Sequence, residues 1–442
     1  MTHNKAWIVA VDMGYGHQRA AYPLRELSPT GKVIIANNYQ GIPASDSLFW
    51  KTTRRMYEFF SRLSNLPLVG SSLFGIMDHF QQIPDFYPRR DLSRSITQVN
   101  QIYWFIRRGW GKNLINYLNT EDIPLITTFF TVAFFAEEHN FKNDIYVVIC
   151  DADISRAWVA KNPAKSRIKY LAPCRRVVER LKLYGVPEES IFLTGFPLPE
   201  ENLGGNQLET LKKDVAERVI NLDPARHYRD KYSETLRQFL KGIKIEARHH
   251  HPLTLTFAVG GAGAQRNIAN DIVRSLKNKI LRNEINLNLV AGSRNDVFSF
   301  FKELIHRNGL DKNYGKNLNI ICALEKEDYF KQLNEVLRTT DIIWTKPSEM
   351  VFYSALGLPI IMAPSLGSQE VYNRQWLKTI GAGIAQQDPR YTAEWLFDWI
   401  ESGWLAEAAM SGFLDGRQFG VSNITDVVFK GVKEPAKSNQ LL

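Results

Sequence analysis

The chain has 442 residues, of which 44% are hydrophobic and 23% charged, and its formal net charge is +9. This length suits two domains with separate cores, and no apolar stretch reaches the roughly 18–20 residues that span a bilayer. The N-terminus lacks the long apolar core of a signal peptide, and three scattered cysteines fit neither a disulfide framework nor a zinc site. We therefore expect a cytoplasmic globular protein whose positive charge suits nucleic acid, an anionic membrane or an acidic substrate.

The first half of the chain alternates short apolar strands with helical patterns, which is typical of a parallel sheet. A strand over 7–12 leads into a helix over 16–27, and an amphipathic helix is predicted over 174–183. Further strands are predicted over 32–37, 124–128, 145–150, 168–171 and 191–194. We predict a Rossmann-like α/β domain over 1–199.

Residues 200–250 are highly charged and helical in pattern, which predicts a linker with a helical insertion. The histidines at 249–251 make a poor metal site, because consecutive side chains point in different directions. A second series of strands is predicted over 253–259, 287–291, 318–322, 342–345 and 359–363. We predict a second α/β domain over 251–442, so that the fold consists of two Rossmann-like domains.

The first strand ends in a glycine-containing turn that leads to His17. Gly14 and Gly16 permit a tight turn and the close approach of a ligand to backbone N–H groups. An imidazole at this position suits proton transfer near neutral pH. A histidine that only caps its own helix would explain the same pattern.

A second glycine turn follows the strand over 253–259 and contains Gly260, Gly261 and Gly263. Backbone N–H groups at such a turn can hold a pyrophosphate at the start of the next helix. The turn lacks the Gly-Lys-Ser/Thr of a P-loop. A turn that serves only chain reversal is the alternative.

The stretch 345–373 predicts a polar loop, a helix, a buried strand, a second polar loop and another helix. Ser348 is placed to cap the first helix, with Glu349 in its first turn, where a carboxylate is favoured. Gln369, Glu370 and Asn373 open the second helix. Two such helix starts suit a ligand with phosphates and hydroxyls. An ordinary αβα unit with solvent-facing loops is the alternative.

This stretch resembles the donor-sugar signature of nucleotide-sugar glycosyltransferases with the GT-B fold. It is most similar to the monogalactosyldiacylglycerol synthases, the processive diacylglycerol glucosyltransferases and the lipid II N-acetylglucosaminyltransferase (family 28-like). The likeness lies in the GLPII strand, 357–361, and in the Q-E/Q-xx-N helix start, 369–373. The KPSEM loop is shorter than the glycine-rich loop of the family. The resemblance implies two Rossmann-like domains facing across a cleft, with donor contacts from Lys346, Ser348, Glu349, Gln369, Glu370 and Asn373.

Other segments extend the resemblance over about residues 7–420. The loop with Gly260, Gly261 and Gly263 is similar to the family's glycine loop that contacts the donor diphosphate. Ser293, Arg294 and Asn295 match its strand-end element beside the nucleobase.

On the acceptor side, the turn with Gly14, Gly16 and His17 is similar to the family's GxGH-xxAA element. This likeness implies that His17 is a general base or orients the acceptor hydroxyl. Asp151, the second predicted catalytic residue, and Trp158 on the acceptor side match TDxxxxHPxW, but the family's histidine is missing here. That departure implies a different acceptor or a different way of holding it. A strand-end aspartate that caps the next segment explains Asp151 equally well.

Residues 48–112 mix aromatic and aliphatic side chains with basic ones, and 51–112 contains ten basic and four acidic residues. This composition suits an amphipathic surface on anionic lipid. It also suits single-stranded nucleic acid, but no RNA-binding signature accompanies it. Core aromatics with a charged outer face are the remaining interpretation.

The resemblance implies transfer of a hexosyl group from a UDP-type nucleotide sugar to an acceptor hydroxyl, lipid-linked, with inversion. It implies no cofactor beyond this co-substrate and no tightly bound metal. A nucleotide-sugar epimerase of the same fold and a catalytically silent nucleotide-sugar-binding relative are the alternatives. No nucleic-acid partner is predicted, a peripheral position on the inner membrane face is left open, and neither the sugar nor the oligomeric state is predicted.

Overall fold

The computed structural model describes residues 4–51, 83–243, 251–258, 260, 265–365 and 367–433. These residues form two compact units. The first contains the described residues up to Leu198 together with 367–373 and 417–433, and the second contains those of 199–365 and 374–416. The sequence analysis placed 367–373 and 417–433 in the second domain, whereas the structure groups both with the first.

The first unit is built on a parallel sheet of six strands in the order β2-β1-β3-β4-β5-β6. The strands are β1 (Trp7–Ala10), β2 (Ile34–Ile35), β3 (Leu125–Thr127), β4 (Ile145–Val148), β5 (Ile168–Ala172) and β6 (Ile191–Leu193). The central strands β1, β3 and β4 are buried along their whole length. Burial on both faces explains why they read as continuous apolar runs.

Helices cover this sheet. Numbering only helices whose whole range is described, they are α1 (Gly16–Ala21), α2 (Thr97–Arg107), α3 (Lys112–Leu118), α4 (Phe130–Glu138), α5 (Arg175–Leu183) and the C-terminal α15 (Gly420–Lys430). Short 3-10 helices span Tyr22–Leu27, Arg156–Trp158, Pro163–Lys165 and Glu188–Ser190. Ile424 and Val427 of α15 join the core that covers β1 and β4, and Asn423 Nδ2 donates to Thr194 O over 2.8 Å. These contacts explain why the C-terminal helix belongs to the first unit.

The second unit has a parallel sheet of six strands in the order β12-β11-β10-β7-β8-β9. The strands are β7 (Thr254–Ala258), β8 (Asn286–Gly292), β9 (Leu318–Cys322), β10 (Ile342–Thr345), β11 (Ile360–Met362) and β12 (Gly383–Ala385). The helices are α6 (Glu209–Asn221), α7 (His227–Lys231), α8 (Ser233–Phe239), α9 (Ile268–Leu281), α10 (Asn295–Arg307), α11 (Lys326–Leu337), α12 (Ser368–Thr379), α13 (Thr392–Glu401) and α14 (Trp404–Asp415). Further 3-10 helices span Glu200–Asn202, Glu349–Leu356 and Pro389–Tyr391. Of α12, residues up to Asn373 group with the first unit.

The helices of the predicted linker belong to the second unit. Arg218 of α6 is buried and donates to three backbone carbonyls, those of Thr340, Leu337 and Leu356, over 2.6–2.7 Å. A buried guanidinium needs such acceptors. The described part of 200–250 is therefore packed onto the second sheet rather than extended between domains.

The predicted fold class is confirmed: the protein is an α/β protein with two Rossmann-like domains. The eleven predicted strands are present, with ends shifted by at most two residues. β12 was missed because this Gly-Ile-Ala segment is half-buried and is not a buried apolar run. The helix predicted over 16–27 changes after Ala21 into a 3-10 helix that contains Pro23. The change is expected, because proline cannot donate the backbone bond that would continue the α-helix.

Candidate functional site

The strand order of the second sheet identifies where a ligand would bind. The chain passes from β7 through β8 to β9 on one side, and it then returns to place β10 on the other side of β7. In doubly wound sheets, ligands bind at such a switch point, beyond the carboxyl ends of the strands. The residues that follow β7 and β10 are therefore the candidates.

Gly260 follows β7 and Lys346 follows β10, and the two lie against each other. A Cβ built on Gly260 would be 2.7 Å from Lys346 Cε and 3.5 Å from Nζ. The ends of the two strands are also joined, because Thr345 Oγ1 donates to Ala258 O over 3.1 Å. The structure thus brings together a glycine turn and an ammonium group that sequence reasoning had named separately. Gly261 and Gly263 lie outside the described residues.

Beyond Lys346, the chain forms the 3-10 helix Glu349–Leu356 instead of an α-helix. Ser348 occupies the N-cap position as predicted, but its side chain makes no capping hydrogen bond. Its backbone N–H donates to Lys346 O over 2.8 Å. Glu349 is 8% exposed and lies in the first turn.

Ser293 and Arg294 connect β8 to α10, and Asn295 is the first residue of that helix. β8 is the neighbour of β7 in the sheet. The Arg294 guanidinium donates through Nε and Nη2 to the two carboxylate oxygens of Asp296, each over 3.0 Å. Arg266 adds a third hydrogen bond to this carboxylate, over 3.1 Å. The hydrogen bond from Arg294 lowers the pKa of Asp296. Arg294 is thus held by a carboxylate that sequence reasoning had not included.

Among the helix residues predicted to contact the donor, Asn373 has a buried side chain that makes two hydrogen bonds. Its side chain is fully buried, and Nδ2 donates to Asp151 Oδ1 over 2.8 Å. Its Oδ1 accepts from the backbone N–H of Ala152 over 2.7 Å. Two residues predicted for different roles are therefore hydrogen-bonded within the first unit. Glu370 is buried and Gln369 half-buried near the start of α12.

The switch point of the first sheet lies between β1 and β3. His17 is the second residue of α1, the helix that follows β1, and Thr128 directly follows β3. His17 Nδ1 is 2.8 Å from Thr128 O, and Thr128 Oγ1 donates to His17 O over 2.9 Å. A carbonyl oxygen can only accept, so Nδ1 carries the proton. In the neutral ring the lone pair is then on Nε2, which is the form of a general base.

Aromatic rings surround the His17 imidazole. The Phe129 ring lies edge-on with its centroid at 4.9 Å, and the Trp158 ring is at 6.0 Å. Trp158 closes the 3-10 helix Arg156–Trp158 and is mostly buried. Gly16 is the first residue of α1, and Gly14 has a φ of 112°, which favours glycine. His17 and Trp158, which were predicted from separate motifs, thus lie together. The His17 imidazole forms its hydrogen bond with Thr128, the residue after β3, and does not cap its own helix.

Sequence reasoning missed Asp153, two residues after Asp151. This carboxylate is 1% exposed and accepts two hydrogen bonds from Arg180, over 2.8 and 2.9 Å. Arg176 donates a third over 2.8 Å. Arg176 and Arg180 lie four residues apart and share one face of the amphipathic α5, which indicates an acidic partner but not which of the two aspartates it is. Asp153 thus joins α5 to the segment that follows β4. Asp151 instead accepts a hydrogen bond from the Asn373 amide.

The region 48–112 is described only in part, and 52–82 lies outside the described residues. Trp50 and Trp110 are buried and pack against each other and against Phe135. Trp104 of α2 is 47% exposed, and the Arg108 guanidinium lies 3.4 Å from the centroid of its ring. The described aromatics thus include both core residues and a surface tryptophan with an arginine.

The described part of the chain shows neither a membrane-spanning helix nor a cluster of metal ligands. Among those residues, every helix is too short or too polar to cross a membrane. The same residues contain no group of three or more His, Cys, Asp or Glu side chains placed to hold a metal ion.

Residues 243–402 match a family model described as a domain of unknown function (DUF6938). A search of curated proteins finds no significant match. Among solved structures, the chain is similar to the S. aureus MnaA–UDP co-structure, with 13% identity, 98% of each chain covered and a TM-score of 0.49. It is similar to Acinetobacter baumannii MurG, with 13% identity, 96% of this chain and 98% of that one covered, and a TM-score of 0.46.

A third likeness is to the UDP-GlcNAc 2-epimerase from Neisseria meningitidis bound to UDP-GlcNAc. The identity is 10%, 77% of this chain and 82% of that one are covered, and the TM-score is 0.44. Likenesses with TM-scores below 0.5 do not establish a shared activity.

Proposed function

We propose that this protein is a glycosyltransferase that moves a hexosyl group from a UDP-type nucleotide sugar to an acceptor hydroxyl. The observation that carries the proposal is the position of Lys346 against the turn at Gly260. An ammonium group beside a side-chain-free turn, at the switch point of a doubly wound sheet, is suited to a diphosphate. The motifs around both residues resemble those of nucleotide-sugar glycosyltransferases, which supports a UDP-type nucleotide sugar as the source of that diphosphate.

The leaving group of the proposed reaction is a nucleoside diphosphate, on which negative charge increases as the sugar–oxygen bond breaks. Lys346 would stabilise that charge directly, and backbone N–H groups at the glycine turn would add hydrogen bonds. Because these groups supply the positive charge, we propose a reaction that needs no bound metal ion. Glu349 and Gln369 are the proposed partners of the ribose and sugar hydroxyls.

The acceptor hydroxyl must lose a proton as its oxygen attacks the anomeric carbon. His17 is the proposed base, because its Nδ1–H is held by Thr128 O and Nε2 carries the lone pair. The proton would pass to Nε2, the new bond would form between the acceptor oxygen and the anomeric carbon, and the diphosphate would leave with its electron pair. A single displacement of this kind inverts the anomeric centre.

The acceptor is proposed to be lipid-linked, and the surface around Trp104 supports this finer proposal. Trp104 and Phe105 are exposed neighbours on α2, followed by Arg107 and Arg108. Aromatic and basic side chains together suit the interface of an anionic bilayer. Co-sedimentation with phosphatidylglycerol vesicles at low salt should retain the protein and phosphatidylcholine vesicles should not. Equal behaviour with both would contradict a membrane-bound acceptor.

Calorimetric titration with UDP, UMP and uridine tests the donor site. If Lys346 and the glycine turn bind the diphosphate, each phosphate removed should weaken binding, and UDP should bind at least about tenfold tighter than uridine. Similar affinities for UDP and uridine would contradict the assignment. An epimerase would also bind UDP, but it would convert its nucleotide sugar without an acceptor, so product analysis separates the two activities.

A further inference from the structure

A cavity in the second unit plays no part in the proposed transfer. Its volume is about 400 Å³, within the roughly 300–1,000 Å³ of small-molecule sites. Thr254 and Asn286, the first residues of β7 and β8, line it. Thr254 is at the amino end of β7, whereas Gly260 lies just beyond its carboxyl end, so this side of the cavity is at the opposite end of the strand from the proposed diphosphate site.

Polar side chains form a layer across three strands at this cavity. Strand register pairs Thr254 with Asn286 and Thr256 with Asn288, and it pairs Asn288 with Asn319 of β9. Paired residues of neighbouring parallel strands point to the same face of the sheet. Parallel sheets ordinarily carry apolar residues on both faces. A row of amides and hydroxyls here therefore needs an explanation.

The two threonine hydroxyls of the layer make short hydrogen bonds, Thr254 Oγ1 to Pro252 O over 2.8 Å and Thr256 Oγ1 with Thr340 Oγ1 over 2.7 Å. The bonds donated by the amide groups are longer. Asn286 Nδ2 donates to Thr254 Oγ1 over 3.3 Å, Asn288 Nδ2 to Thr256 Oγ1 over 3.2 Å, and Asn319 Nδ2 to Asn288 Oδ1 over 3.4 Å. The usual distance is about 2.9–3.0 Å. An amide group offers two N–H donors and an oxygen with two lone pairs. The threonine hydroxyls are therefore held by the fold, whereas the amides of Asn286 and Asn319, which line the cavity, offer donors and acceptors to a polar ligand.

The rest of the lining narrows the chemistry of that ligand. Asp, Glu, Lys, Arg and His are absent from the described residues that line the cavity, so a phosphate or carboxylate would meet no opposite charge. Ile320, Ile321 and Val336 add apolar surface. The Lys302 ammonium lies 3.8 Å from the centroid of the Tyr314 ring, so one face of that ring is covered. The lining thus combines uncharged amide and hydroxyl groups with methyl groups, which suits the hydroxyls and the C–H face of a sugar ring.

We propose that this cavity is a second carbohydrate site, which binds a neutral saccharide apart from the site of transfer. The asparagine amides would donate to and accept from adjacent sugar hydroxyls. The isoleucine and valine methyl groups would pack against the C–H face of the ring. Thr339 and Gly315 are exposed and line the cavity, so a longer saccharide could extend past them into solvent.

Calorimetric titration of the full chain with maltose, cellobiose and chitobiose, in saturating UDP, tests this proposal. At least one disaccharide should bind, and Asn319→Leu should weaken it about tenfold or more, the effect of losing one or two hydrogen bonds. Asn278→Leu, an exposed change on α9, should leave the affinity unchanged. Thr339→Trp, which blocks the cavity at the surface without altering the core, should also abolish binding.

Three results would overturn the proposal: no binding of any disaccharide, normal binding by Thr339→Trp, or equal effects of the Asn319 and Asn278 changes. Lys346→Met should weaken the binding of UDP and leave the binding of the disaccharide unchanged. If the wild-type chain does not bind UDP, the proposed transferase is contradicted. If it binds UDP but no disaccharide, only the second site is contradicted.

Discussion

Lys346 and Gly260 permit a test of how the proposed diphosphate site is built. Replacing Lys346 with Met keeps the length of the side chain and removes its charge. Hydrogen bonds to charged groups contribute about 1.5–3 kcal/mol, so the Kd for UDP should rise about 10- to 150-fold. Lys331→Met, an exposed lysine of α11, is the matched control and should leave the Kd unchanged.

Gly260→Ala tests whether the glycine is needed because of the lysine. Its Cβ would lie 2.7 Å from Lys346 Cε, whereas ordinary contact begins at 3.4 Å. Because the lysine side chain is flexible, it can move aside without disturbing the fold, and the ammonium then leaves its position. The alanine change should therefore weaken UDP binding less than loss of the lysine does.

The double variant decides between a shared and a separate role. If Gly260→Ala acts by displacing Lys346, the double variant should bind UDP as Lys346→Met does, within about 0.5 kcal/mol. Additive losses in calorimetry would show that Gly260 acts independently of the lysine. Wild-type affinity in Lys346→Met would refute the assignment of the diphosphate site itself.

Three further changes test other parts of the account. His17→Ala should lower kcat about 10²–10⁴-fold, the range for loss of a general base, with little change in UDP affinity by calorimetry; normal turnover would exclude His17 as base. Asn373→Leu should lower stability in urea by about 1–3 kcal/mol, because Asp151 and a buried N–H lose their partner; unchanged stability with weaker UDP binding would instead favour a donor contact. Burial raises the pKa of Asp341 to about 8, so the folded protein retains a proton that the unfolded chain releases. Stability should therefore fall as pH rises from about 4 to 8, by up to about 1.4 kcal/mol per unit. Asp341→Asn should flatten this dependence of stability on pH, whereas the exposed Asp398→Asn should leave it unchanged. The same slope of stability against pH in both variants would contradict the role of Asp341.

The strand pattern was predictable because it depends on local order. A buried parallel strand is a short apolar run, and polar or glycine residues at its carboxyl end mark the ligand-binding edge. The glycine turn at Gly260 was found by this logic, whereas Lys346 was named through the resemblance to glycosyltransferases. Their contact was not predicted, since it depends on β7 and β10 being neighbours in the sheet despite the strands between them in sequence.

Pairings that depend on tertiary structure were not predictable. Asn373 and Asp151 are 222 residues apart, and nothing local to either residue indicates that they form a hydrogen bond. The choice between Asp151 and Asp153 was also beyond local pattern, because only packing shows which carboxylate is buried against α5. The layer of Asn and Thr side chains on β7 and β8 was passed over for a related reason, since alternation with leucine already accounts for the strands.

The most direct test of the account is to supply the wild-type protein with UDP-glucose, UDP-galactose and UDP-N-acetylglucosamine, with and without lipid acceptors in vesicles. Free UDP and the sugar products would be followed by chromatography and NMR. The account predicts that at least one donor releases UDP in an acceptor-dependent way, and that the sugar appears on the acceptor with the opposite anomeric configuration. Conversion of a nucleotide sugar into its epimer without acceptor, or UDP binding without turnover of any donor, would contradict it.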